Sequence, residues 1–154
     1  VFVKKQARLN PVPKYDYIVL DAFNSDYIPF HLMTKEFLEE LKAILSDDGV
    51  IVANVWYPNQ LFDAEFKTFL AVFERSQVFC GNGNAIIVTP GAKATLLPYD
   101  KVVQKATELQ NKLKFTFSLV RVANSLVPNA KPHPQAMILT DDRAPVNQLR
   151  NQTR

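Results

Sequence analysis

The chain has 154 residues, 47% of them apolar and 21% charged, with 18 basic against 15 acidic side chains and a formal net charge of +3. That composition fits one globular domain over residues 1–154 and excludes disordered, collagen-like and acidic-tail sequences. No apolar run approaches the roughly 20 residues of a membrane span, and the small, scattered basic excess offers no track for a nucleic acid.

In chain order, Val1 to Lys5 lacks the apolar core and cleavage site of a signal peptide, and a start on Val rather than Met reads as a chain cut from a longer one. Pro11, Pro13 and the polar residues from Gln6 to Lys14 predict a loop. Tyr17-Ile18-Val19-Leu20, apolar at consecutive positions and closed by Asp21, predicts a strand covered on both faces. Residues 24–32 read as loop. Thr34 then caps a helix, with Glu36 in its first turn and Phe37, Leu38, Leu41, Ile44 and Leu45 at helical spacing. Ser46-Asp47-Asp48-Gly49 predicts its stop. Val50 to Val55 predicts a second buried strand, and Pro58-Asn59 opens a second helix with Phe62, Phe66, Phe69, Leu70 and Phe73 on its core face. Gln77–Cys80 and Ala85–Val88 predict a hairpin across Gly81-Asn82-Gly83-Asn84. Pro98 and Tyr99 begin a third helix carrying Val102, Val103, Ala106, Leu109 and Leu113, and a further helix is expected from about Thr116 to Leu126. Prolines 128, 132 and 134 mark a loop before the closing stretch. The rhythm is that of an α/β fold.

In open parallel sheets ligands bind outside the carboxyl ends of the strands. The segments leaving those ends, residues 21–27 and 54–57, adjoin if a helical crossover joins neighbouring strands. They offer Asp21, Asp26, Tyr27, Asn54, Trp56 and Tyr57. Carboxylates neutralise an ammonium and ring faces attract it, so the set suits a flat aromatic ligand or an organic cation. Plainer readings stand beside this one. Asp21 and Asp26 are good turn residues, Trp56 can be a lid on the core, and Asn54 can hold loop backbone. Asp141 and Asp142, adjacent in extended chain, point to opposite sides, so a turn or a contact to Arg143 is expected there rather than a metal. The single Cys80 leaves no internal disulfide or CxxC zinc cluster, and points to a reducing, cytoplasmic compartment. His31 and His133 lack ligand spacing, and no metal is expected. No glycine-rich phosphate loop is present.

Tyr15-Asp16-Tyr17-Ile18-Val19-Leu20-Asp21-Ala22-Phe23, Tyr27-Ile28-Pro29-Phe30-His31-Leu32, Phe37-Leu38, Asp48-Gly49-Val50 and the closing Leu139-Thr140-Asp141-Asp142-Arg143-Ala144-Pro145-Val146 resemble, in this order, motifs of the spermidine synthase-like family. The resemblance implies the later half of a Rossmann-like methyltransferase fold: a mixed sheet with a C-terminal hairpin and flanking helices, its cofactor-loop half lying before Val1. It implies aminopropyl transfer from decarboxylated S-adenosylmethionine to a polyamine such as putrescine, without a metal, in a parent protein; this chain alone would be inactive. Alternatives are a methyltransferase using S-adenosylmethionine and a non-catalytic binding or assembly module. Asp21 matches the family's proton-accepting, amine-anchoring acid, and Asn54 falls near the polar position that faces the amine substrate; Asp26, Tyr27 and Trp56, at the same strand ends, are expected to bind that substrate, and Asp21 with Ala22 the S-adenosyl co-substrate. The family's second acid, three positions on, is here Asn24, a departure for which Asp26 is a late substitute. A strand at Tyr17–Leu20 without a preceding neighbour leaves an apolar edge, so a homodimer is expected.

Overall fold

The computed structural model describes residues 2–21 and 29–153. Its elements begin with α1 (Phe2–Gln6), β1 (Tyr15–Leu20), a 3₁₀ turn (Phe30–Leu32), α2 (Lys35–Ile44), β2 (Leu45–Trp56) and α3 (Gln60–Phe73). They continue with β3 (Gln77–Cys80), β4 (Asn84–Pro90), α4 (Tyr99–Lys112), α5 (Leu119–Ala123), β5 (Leu126–Val127) and α6 (Val146–Arg150). The five strands form one mixed sheet in the order β1-β2-β4-β3-β5. β1 and β2 run parallel, joined by α2. After α3 the chain passes one strand position and returns through the 81–83 turn, so β4 inserts antiparallel between β2 and β3.

The capping chemistry is local. Thr34 Oγ1 accepts the Phe37 N–H at the start of α2, and Asn59 Oδ1 accepts the Phe62 N–H at 2.8 Å at the start of α3. α3 ends on Glu74, whose φ of 67° is the left-handed conformation that closes helices. Both helices cover the same sheet face. Leu38, Leu41 and Ile44 from α2 and Phe62, Phe66, Phe69 and Phe73 from α3 meet Ile51, Ala53, Val55, Val78, Ala85 and Ile87 in one core. Each large side chain so buried contributes roughly 1.5–3 kcal/mol.

α3 is also covered from behind. Leu61 and Ala64 pack with Met33, Leu139 and Val146 in a second cluster, because the 131–150 segment wraps the helix. Thr68 Oγ1 accepts the Leu139 N–H, and Asp63 Oδ1 accepts the His133 N–H. Asp63 and Glu65 on α3 are buried, at 2% and 3% exposure.

Three expectations are corrected. β1 is not covered on both faces: Ile18 and Leu20 pack on the core, while Tyr17 and Val19 are 62% and 55% exposed. The helices α2 and α3 lie on one side of the sheet, and nothing comparable covers these two among the described residues. The segment Ser46 to Gly49 follows the end of α2 at Ile44, as expected, but the second strand starts at Leu45 rather than Val50 and takes this segment in. It bulges within β2, since the register jumps from Tyr15–Leu45 to Tyr17–Val50. Ser46 Oγ donates to Asp16 Oδ1 on one side, and the Gly91 N–H donates to Gly49 O on the other. A Cβ on Gly91 would run into the Ser46 and Asp47 carbonyl oxygens, so only glycine allows this approach. The expected 116–126 helix shortens to α5, because Leu126 and Val127 pair with β3 as an edge strand. The short α1 carries no sequence signal that the composition singled out.

Candidate functional site

The site sits where β1 and β2 end. The parallel register pairs Leu20 with Ala53, so Asp21 and Asn54 come side by side. Asn54 Nδ2 donates to Asp21 Oδ1 at 3.0 Å. The antiparallel register pairs Trp56 with Asn84, which places Asn84 diagonally across from Asn54 on the same face. Asn84 Nδ2 donates to Asn54 Oδ1 at 2.8 Å. Three side chains from β4, β2 and the end of β1 thus form one hydrogen-bonded row. Asn54 holds a carboxylate.

Asp21 is exposed and lines a cleft of about 430 Å³ whose wall also carries Lys4, His31, Glu40 and Asp141. Lys4 pairs with Glu40 at 3.7 Å. Three carboxylates against one ammonium make the cleft attractive to a cation. Asp141 is fixed there by the closing motif. Thr34 Oγ1 donates to Asp141 Oδ1 at 2.7 Å, the Asp141 N–H donates to Glu36 Oε2, and Thr140 and Arg143 close a tight turn by paired backbone bonds. The Asp141-Asp142 pair therefore forms the expected turn, docked on the N-terminus of α2.

Trp56 lies on the same sheet face as Asn54, two residues on. Its ring is covered by the Arg150 guanidinium at 4.3 Å from the centroid, a cation–π contact worth about 0.5–2 kcal/mol. The Gln60 N–H donates to Gln152 O, which pins the segment carrying Arg150. The platform expected for a ligand cation thus holds one of the chain's own. Tyr57 turns away and packs edge-on against Phe62 at 5.0 Å. Ala22, Asp26 and Tyr27 lie outside the described residues, as does Asn24.

Glu65 was missed from the sequence. It faces a cavity of about 40 Å³ bordered by Leu20, Met33, Ala53, Asn54 and Phe69, directly behind the strand ends. Its Oε2 has no hydrogen-bond partner among the described residues, and burial pushes its carboxyl up from 4.5 to about 8. The signal was present: Glu65 falls three residues after Phe62 and four before Phe69, on the buried stripe. Asn84 was read only as a turn residue. Among the described residues no group of three or more His, Cys, Asp or Glu could hold a metal ion.

No family model matches the chain. Over 142 residues it is 39% identical to a polyamine aminopropyltransferase of Vibrio vulnificus, covering 89% of this chain and 46% of that protein. The probable spermidine synthase of Corynebacterium glutamicum superposes over 84% of this chain and 48% of its own, with a TM-score of 0.58 and 20% identity. The chain is spermidine synthase-like. Human methyltransferase-like protein 13, solved in complex with SAH, shares the fold over 75% of this chain and 56% of its own, with a TM-score of 0.64 and 22% identity. The spermidine synthase-like chain spans about half the length of its Vibrio relative, 46%. Its mixed sheet is therefore a Rossmann-like methyltransferase sheet, ending in the hairpin that inserts β4 beside β2.

Proposed function

We propose that this chain supplies the amine-binding, proton-accepting part of an aminopropyltransferase, which moves an aminopropyl group from decarboxylated S-adenosylmethionine to a polyamine such as putrescine. One observation carries the reading: the Asp21 carboxylate, held by Asn54, lines an acid-rich cleft at the carboxyl end of parallel strands. An amine is protonated at neutral pH, and only its free base is a nucleophile. Asp21 binds the ammonium and takes its proton. The nitrogen then forms a bond to the carbon next to the sulfonium, the carbon–sulfur bond breaks, and its electron pair returns to sulfur as a neutral thioether. Proton acceptance supplies about 10²–10⁴-fold, and in-line placement of amine and carbon supplies much of the remainder. Asp26 and Tyr27 complete the amine site in this reading, Ala22 lies beside the S-adenosyl group, and no metal takes part.

Incubating the full-length protein with putrescine and the decarboxylated co-substrate yields spermidine, detected by mass spectrometry. The same assay with S-adenosylmethionine separates the second reading, which Asn24 in place of a second acid favours: a methylated product without spermidine makes the protein a methyltransferase. A non-catalytic module gives neither.

The partners follow from the same surface. Tyr17 and Val19 are exposed on β1, the edge strand of the sheet, and such edges pair. We place a second copy along it, as a homodimer, with no nucleic acid and no membrane as partner. No helix of the described residues is long and apolar enough to cross a membrane, and the single free Cys80 suits the cytoplasm. Size-exclusion chromatography with light scattering reads a dimer mass; a monomer overturns the pairing.

A further inference from the structure

The row Asn84–Asn54–Asp21 has only one workable polarity. An ionised carboxylate accepts hydrogen bonds and cannot donate. Asn54 must therefore turn its NH₂ to Asp21, which leaves its carbonyl facing β4, where the partner has to be a donor. Asn84 meets that requirement with Nδ2 at 2.8 Å from Asn54 Oδ1. Its own position is set from outside the cleft. The Gly81 N–H donates to Asn84 O at 2.8 Å, and the Tyr57 N–H donates to Gly83 O at 3.2 Å, so the 81–83 turn is clamped to the end of β2. A Cβ on Gly81 would stand 2.7 Å from Asn84 Oδ1. The hairpin turn, remote from the substrate cleft in sequence, thus has its residue types dictated by a side chain that points along the row to the acid.

We propose that Asn84 is a positioning residue. Acting through Asn54, it orients the Asp21 carboxylate toward the acceptor amine, and Gly81 leaves the space that this amide needs. The inference rests on the function proposed above for its kinetic consequence, and on the hydrogen-bonded row alone for its structural one.

Asn84→Asp is the decisive variant, because it keeps the shape of the side chain and removes the donor. If Asn84 only filled space or closed the turn, the aspartate would be tolerated better than Asn84→Ala. If it positions Asp21, the aspartate is at least as damaging, since Asn54 must either face an acceptor or flip and turn its carbonyl to Asp21. In the full-length protein, kcat/KM for the amine falls roughly three- to tenfold in Asn84→Ala, the loss typical of one hydrogen bond. It falls at least as far in Asn84→Asp and also falls in Gly81→Ala, while KM for the S-adenosyl co-substrate stays at its original value. The side-chain amide resonances of Asn54 shift in all three variants. Unshifted Asn54 resonances, or Asn84→Asp and Gly81→Ala proteins with undiminished kcat/KM for the amine, overturn the positioning role. The two failures stay distinct: a parent protein that makes no spermidine removes the proposed function, and the Asn54 resonances then still decide whether Asn84 holds the row.

Discussion

Asp21→Asn lowers the turnover of amine transfer by about 10²–10⁴-fold, the range lost with a general base. The substitution is nearly isosteric. An asparagine carbonyl at position 21 still accepts the Asn54 amide, so the row on the sheet face is retained. What disappears is the negative charge that holds an ammonium and the basicity that takes its proton. Because Asp21 is exposed, the folding stability of the variant stays within about 0.5 kcal/mol of the parent, as surface substitutions do. Steady-state kinetics beside a melting curve therefore separate lost chemistry from lost fold. Turnover equal to that of the parent removes Asp21 from the mechanism.

Glu65→Gln makes the protein more stable in alkaline solution and changes little in acid. Below pH 4.5 the carboxyl carries its proton in both the folded and unfolded chain, and contributes no pH dependence. As pH rises from 4.5 toward 8, the unfolded chain releases the proton while the folded chain retains it against the penalty of burial. The unfolded state is then the one favoured by rising pH, and folding stability declines through this window before levelling above 8. Full retention over that interval corresponds to up to about 5 kcal/mol. Glutamine has no proton to lose, so the gap between variant and parent opens with pH. Urea midpoints at pH 5 and pH 8 measure it. A gap that is the same at both values shows that Glu65 is ionised in the folded protein.

The elements that depend on neighbours in sequence were legible without coordinates. Thr34 and Asn59 announce their helices because a cap bonds a backbone N–H three residues on. Gly81 to Asn84 announces its hairpin because the turn needs residues that tolerate unusual backbone angles, and Gly83 does adopt a φ of 86°. The phenylalanine stripe of α3 follows from helical spacing. Ser46 to Gly49 announced the end of α2 but not that the next strand takes it in, because the bonds that hold it extended come from Asp16 and Gly91, distant in sequence.

Asp21 was found from its place at the end of an apolar run, and Asn54 and Trp56 from the same rule applied to the next strand. Their partners were not. Arg150 reaches Trp56 only because the 131–150 segment wraps α3, and Glu65 is hidden because the 29–33 segment and the ends of β1 and β2 close over it. The amino-acid order by itself determined α2, α3 and α4, the hairpin, the resemblance to spermidine synthases and the acid at the strand end, since each depends on spacing along the chain. Only the tertiary structure decided which face of β1 is exposed, which carboxyl is buried and which amide faces Asp21. Those depend on strand register, and a register brings together residues tens of positions apart whose types carry no mark of one another.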